Sequence, residues 1–185
     1  AQPGLPVIAC GMVGSAQGWS EAAYRNTPVD VASLGQALHR VRSVRGVDVH
    51  IVPGVIEQVG LPNVMRGEET QVLGVLQGLA AEVLIGLPGS HSKWVEVVDG
   101  CITHFDTFMT GELFAVLSKH SLLGRTQQPA EHFQAAAFDL GVQVALSVDG
   151  ERGVLSTLFS ARTLGLTGKL APDEQPDYQI GRAHV

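Results

Sequence analysis

Apolar positions along this chain come first in short continuous runs and later with the period of helices. Residues 5–10 (LPVIAC) form an unbroken apolar run, the pattern of a strand covered on both faces. They lead into a glycine-punctuated loop, GMVGSAQGW, at residues 11–19. Beyond a loop containing Pro28, residues 33–42 set Leu34, Leu38 and Val41 on one helical face and predict a helix. Residues 48–52 (DVHIV) predict a second strand, closed by Pro53 and Gly54. After Gly67 a further helix is expected, with Val72, Leu76 and Leu79 as its core stripe and Glu68 and Glu69 in its first turn, where carboxylates meet the positive end of the helix dipole.

The pattern then changes. Residues 83–87 and 94–98 predict the two strands of a hairpin, Asp99 and Gly100 a tight two-residue turn, and residues 102–108 the third strand of a meander. Thr110 is placed to cap a helix over 111–119, and helical periodicity fills 131–147 and 153–164. No internal repeat or low-complexity tract interrupts the order. Strands alternating with helices, then a meander, then helices, predict an α/β fold with a change of domain near residues 79–83.

Composition narrows the partners. The chain has 185 residues, of which 45% are hydrophobic, enough for a sizeable core. A net charge of −6 and a sequence pI near 5.6 argue against nucleic acid, because no basic stripe is present to displace counterions from phosphates. No apolar stretch reaches the ~20 residues that span a bilayer, so a soluble, cytoplasmic protein is expected. Cys10 and Cys101 stand in apolar surroundings and read as buried free thiols, not as a disulfide framework. The chain opens AQPGLPV, without an initiator methionine, and reads as cut at the front. It closes on IGRAHV, whose codons can match a sequencing adapter, and this tail (180–185) is expected to be non-native.

Candidate chemistry gathers in four places. LPGSHSKW (87–94) lies between two strands and offers backbone N–H groups, the Ser90 and Ser92 hydroxyls and the Lys93 ammonium to an anion such as a phosphate; a plain hairpin turn is the competing reading. In GEETQVLG (67–74), Glu68 can project into a cleft and take a proton from a substrate hydroxyl, with Glu69 as the fallback, while both also suit a helix start. Arg66 can clamp a carboxylate as a fork or serve as a solvated loop arginine. In GMVGSAQGW the glycines let backbone approach a ligand at the end of the first strand, where open α/β sheets bind ligands, and Ser15, Gln17 and Trp19 supply hydroxyl, amide and stacking groups. Adjacent His91 and Ser92 make a poor hydrolase pair, and no GxSxG elbow is present. The remaining histidines (His39, His50, His104, His120 and His132) show no metal spacing, so any metal should arrive with a nucleotide.

Taken as a set, GMVGSAQGW, NVMRGEETQ, LPGSHSKW and TFMTGELF resemble the 2-dehydro-3-deoxygalactonokinase family of sugar-acid kinases, in the same order over Leu5 to Tyr178. Ser90 stands where threonine is usual. The resemblance implies an actin-like, ribonuclease-H-like fold of two α/β domains. Here 1–80 would be the rest of the first, sugar-binding domain without its opening hairpin, and 81–179 the start of the second, nucleotide-binding domain. More distantly the chain resembles the glycerol and xylulose kinases, with Glu68 in the place of their catalytic aspartate.

The implied reaction transfers the γ-phosphoryl group of ATP, with Mg²⁺, to the 6-hydroxyl of 2-dehydro-3-deoxy-D-galactonate. Glu68 would be the base. Gly89, Ser90, His91, Ser92 and Lys93 would hold phosphates, and Gly14, Ser15, Gln17, Trp19 and Arg66 the sugar acid. Partners would be the sugar acid and ATP, without nucleic acid or membrane, and a homodimer is the assembly considered. The DWGTT-like first phosphate loop and the later adenosine segment of such kinases do not occur here, so the chain alone is expected to be inactive. A sugar-acid sensor on the same scaffold is the alternative, followed by a Ser/His hydrolase.

Overall fold

A computed structural model describes residues 5–76, 78 and 81–183. The chain is mixed α/β, as expected, and divides into two compact units: 1–88 with 93–107, and 89–92 with 108–185.

The first unit carries strands β1 (Val7–Ala9), β2 (Arg25–Asn26), β3 (Val29–Asp30), β4 (His39–Arg42), β5 (Asp48–Ile51), β6 (Val55–Glu57) and β7 (Asn63–Met65), then helix α1 (Glu68–Val75) and strands β8 (Glu82–Leu87), β9 (Ser92–Val98) and β10 (Cys101–Phe108). They form three small sheets, ordered β1-β5-β4, β2-β6-β7 and β3-β10-β9-β8. Strand β1 runs parallel to β5, but Ile8 is 61% exposed, so this strand is not covered on both faces as expected. Cys10 is likewise exposed, against the expectation of a buried thiol, and both cysteines are free.

The helix predicted over 33–42 is a 3-10 turn, Val31–Gln36, followed by β4. His39, Arg40, Val41 and Arg42 pair antiparallel with β5 from Ile51 back to Asp48, and Arg40 and Arg42 both reach Asp48. Cross-strand pairing overrides a helical periodicity that rests on three apolar residues. Helix α1 begins where predicted and buries Val72, whereas Leu79 lies outside the described residues.

The meander is the most regular part. Val95 and Val97 of β9 are buried while Trp94, Glu96 and Val98 face outward, the two-residue alternation of a half-covered strand. Its turn follows the prediction, with Asp99 at φ 49° and Gly100 at φ 77°. Val29, Leu34, Val55, Met65, Val72, Val95, Val97, Ile102 and Phe105 make up most of the core of this unit.

The second unit is helical: α2 (Thr110–His120), α3 (Ala135–Leu146), α4 (Val154–Thr157), α5 (Ser160–Leu166) and α6 (Gln175–Ala183). The single helix predicted over 153–164 is broken between α4 and α5. Helix α6 was not expected. It packs on α3, with Tyr178 in the core beside Ala137, Ala161 and Leu170, and its Asp177 carboxylate accepts from the Gln134 N–H at 2.7 Å. Residues 180–183 of the expected non-native tail continue this helix, while 184–185 lie outside the described residues.

One surface contact ties β6 to β10. The Glu57 carboxylate takes the His104 Nδ1 at 2.8 Å and the Phe105 N–H at 3.2 Å, and Asp106 lies 3.6 Å from the other ring nitrogen. Its hydrogen bond to Glu57 holds His104 above the ordinary histidine range. The stabilisation is therefore complete below that ordinary range and is lost as pH rises through the raised value of the folded state. Because the pair is solvated, His104→Gln should cost no more than about 1 kcal/mol near neutral or mildly acidic pH. In urea unfolding the difference from the parent should shrink as pH rises through the raised value; a difference that stays constant with pH contradicts the pairing.

Candidate functional site

In the first unit, the chemistry gathers where β7 runs into α1. The segment Arg66–Gly67 is pinned by the two carboxylates that follow it. Glu68 Oε2 accepts the Arg66 N–H at 3.0 Å, and Glu69 Oε2 accepts the Gly67 N–H at 2.7 Å. Glu69 is fully buried and also takes the Thr70 hydroxyl at 3.2 Å. Burial pushes its carboxyl above the ordinary range, against the hydrogen bonds that favour its charge. Glu69 thus serves the helix start, with both carboxylate oxygens engaged. Glu68 is only partly buried, and its Oε1 makes no hydrogen bond among the described residues. Of the two candidate bases, Glu68 alone has an oxygen to spare.

Arg66 is held in place by packing. Its Nη2 donates to the Ala22 carbonyl at 2.9 Å, and its guanidinium lies 4.1 Å above the Tyr24 ring. Its Nε and Nη1 are shut away from water with no acceptor, an arrangement that costs about 1–3 kcal/mol per group until an acceptor is found. Gly14 is buried beside it, and a Cβ there would lie 2.7 Å from Ile51 Cγ2 and 3.2 Å from Arg66 Nη1. Gly14 therefore makes room for the arginine. In the same loop the Ser15 hydroxyl donates to the Met12 carbonyl at 2.9 Å, whereas the Gln17 and Trp19 side chains are exposed.

Lys93 departs from its expected place. It is only 5% exposed, and its ammonium donates to the Val64 carbonyl at 2.7 Å and to the Thr107 hydroxyl at 2.6 Å, 5.7 Å from the Phe105 ring centre. Desolvation holds it below the ordinary lysine range, against the pull of the Glu68 charge. Two of its three N–H donors are taken by these acceptors.

In the second unit the loop Gly89–Ser92 rests on the first turn of α2. Gly111 N–H donates to the Gly89 carbonyl at 3.3 Å and Glu112 N–H to the Ser90 carbonyl at 3.1 Å. The Thr110 hydroxyl bonds Ser92 Oγ at 2.5 Å and the Gly89 carbonyl at 3.3 Å, and Ser92 Oγ in turn accepts the Gly89 N–H at 3.2 Å. Thr110 therefore holds the loop and does not cap its own helix, whose N-cap position is Met109. Contact is so close that a Cβ on Gly111 would fall 2.7 Å from the Gly89 oxygen and 3.0 Å from Ser90 Cα. His91 Nε2 meets Glu112 Oε2 at 2.6 Å, so His91 and Ser92 have separate partners and form no hydrolytic pair. Because the loop's carbonyls are turned to α2, the Ser90 and His91 N–H groups find no acceptor among the described residues. Two successive backbone donors are thereby left for an anion.

Gly111 and Glu112 escaped the residue-by-residue reading, and Thr110 was read only as a helix cap. Their signal was present in TFMTGELF, but its meaning depends on contact with residues some twenty positions earlier. Asn63 and Thr107 open the motifs NVMRGEETQ and TFMTGELF but were given no role, and Tyr24 lies outside every motif. Among the described residues no group of three or more His, Cys, Asp or Glu side chains could hold a metal ion, and no helix is long and apolar enough to cross a membrane.

Residues 1–182 match the family model described as 2-keto-3-deoxy-galactonokinase. The chain is 40% identical over 162 residues to a Rhizobium meliloti (strain 1021) protein named as a probable 2-dehydro-3-deoxygalactonokinase, DgoK1, an alignment covering 85% of this chain and 52% of that one. It is 37% identical over 177 residues to the 2-dehydro-3-deoxygalactonokinase of Escherichia coli (strain K12), covering 95% of this chain and 58% of the relative. A crystal structure from Sinorhizobium meliloti, assigned provisionally as a 2-dehydro-3-deoxygalactonokinase, superposes with a TM-score of 0.87 at 37% identity, over 97% of this chain and 60% of that chain. The chain thus spans little more than half the length of the curated relatives it matches.

The helix start itself can be tested. Glu69→Gln keeps an acceptor for the Gly67 N–H and removes a buried charge, so its stability should stay within about 1 kcal/mol of the parent. Glu69→Ala leaves that N–H unpaired and should cost about 1–3 kcal/mol in denaturant unfolding. Equal costs for the two variants would contradict the capping role.

Proposed function

Because the chain belongs to the 2-keto-3-deoxy-galactonokinase family, we propose that the whole protein transfers the γ-phosphoryl group of ATP to the 6-hydroxyl of 2-dehydro-3-deoxy-D-galactonate. The observation that carries this reading is the loop Gly89–Ser92, with its carbonyls tied back to α2 and the Ser90 and His91 N–H groups left to an anion. Phosphoryl transfer asks little covalent chemistry of a protein and much positioning. The loop supplies backbone donors, that of His91 among them, and the Ser90 hydroxyl to phosphate oxygens, while the His91 ring is paired with Glu112. Glu68, with its free oxygen, takes the proton of the attacking hydroxyl. Mg²⁺ bound with the nucleotide would neutralise charge on the phosphates.

Arg66 supports the sugar-acid half of the reading, because its unmatched N–H groups suit a carboxylate better than any neutral ligand. Ser15, Gln17 and Trp19 belong to the same half as hydroxyl, amide and stacking groups on one loop. The functional division of the whole protein is placed near residue 80, with 81–179 opening the nucleotide-binding half. The compact units of this chain group the strands differently, since β10 pairs with β3 through Cys101 and Ile102.

Two substitutions in the full-length protein separate the roles. Glu68→Gln should lower turnover by about a hundredfold or more while ADP affinity stays within about twofold. Gly111→Ala forces the Gly89 carbonyl away and should weaken ADP binding by about tenfold or more. Near-normal turnover of the first rejects Glu68 as the base, and unchanged affinity of the second rejects the loop as the phosphate holder.

A further inference from the structure

We propose that Lys93 is a positioning residue for Glu68 and not a ligand of the nucleotide phosphates. This rests on the reading of Glu68 as the base. The ammonium sits at the start of a relay of hydrogen bonds that ends on the strand leading into α1. Lys93 Nζ donates to the Thr107 hydroxyl at 2.6 Å, Thr107 donates to Asn63 Oδ1 at 2.7 Å, and Asn63 Nδ2 donates to the Phe105 carbonyl at 2.9 Å. A second bond runs from Lys93 directly to the Val64 carbonyl at 2.7 Å. Asn63 and Val64 are consecutive residues of β7, which continues through Met65 into Arg66 and Gly67, the peptide groups that Glu68 and Glu69 hold. One buried cation thereby fixes, from β9 and β10, the strand whose end carries the base.

Electrostatics work in the same direction. Lys93 and Glu68 attract each other, and this attraction offsets part of the cost of burying the ammonium. Removing the ammonium should affect the chemical step and leave nucleotide binding alone. A phosphate-holding lysine would do the reverse.

The test uses the full-length protein. Lys93→Met retains most of the apolar stem and removes the charge, and kcat should fall by about ten to a hundredfold with the Kd for ADP within about twofold of the parent. In a Glu68→Gln background the same substitution should lower kcat by less than about threefold, because two groups acting through one step are not additive. Should Lys93→Met fail to fold, Thr107→Val cuts the relay and leaves the lysine, and should lower kcat by about three to tenfold with ADP affinity retained. A rise of tenfold or so in the Kd for ADP with kcat preserved would make Lys93 a phosphate ligand and overturn the proposal. An equal loss of kcat with and without Glu68 would make the lysine merely structural. If Glu68→Gln itself keeps parental turnover, the base reading has failed and this proposal falls with it, an outcome distinct from an active-site Glu68 that is indifferent to Lys93.

Discussion

An ammonium group buried away from water is tolerated only when its N–H groups meet acceptors and a negative charge stands near, and Lys93 satisfies that condition with the Val64 carbonyl, the Thr107 hydroxyl and the field of Glu68. The first unit is arranged around meeting this demand. Strand β7 must end where its carbonyl can be reached, β10 must present a hydroxyl, and the carboxylates at the start of α1 must follow directly. Glu69 is buried under the same rule with the opposite charge, and it is matched by the Gly67 N–H and the Thr70 hydroxyl. Of the charged side chains that crowd the motifs, these two are consumed by structure, and Glu68 is left with an oxygen free.

The second unit solves a different problem, that of keeping backbone donors available. A loop whose carbonyls hydrogen-bond elsewhere exposes its N–H groups by default. Here the acceptors of the loop are engaged by the first turn of α2, at a distance possible only because residue 111 has no side chain. The hydroxyls of Ser92 and Thr110 lock the arrangement from within. This explains why a glycine-hydroxyl loop and a threonine-glycine-glutamate helix start belong to one signature: each is the other's support.

Much of this was legible in the residues. The meander was readable because strict alternation and an aspartate-glycine turn specify both strands and register, and α1 because carboxylates, a glycine before them and Val72 agree with one another. The stretch 33–42 misled because three apolar residues at helical spacing also fit a turn followed by an edge strand, and pairing with β5 decides between them. The short strands β2, β3, β6 and β7 carry too few residues to show a period. In the candidate site, residue type indicated the right neighbourhoods but not the direction of side chains. Lys93 looked like a phosphate ligand because it follows the loop in sequence, while its ammonium belongs to the strand network beneath the hairpin. Which buried polar groups satisfy which is a three-dimensional question, so Asn63, Thr107 and Thr110 lay within the motifs without showing their partners, and Tyr24 lay outside them.

ADP release from ATP with and without 2-dehydro-3-deoxy-D-galactonate tests the sugar-acid kinase activity proposed for the full-length protein. The account predicts ADP formed in proportion to the sugar acid consumed, none without it, and a lower kcat/KM for the gluconate epimer. ADP release that ignores the sugar acid, or none at all when it is present, would contradict the account.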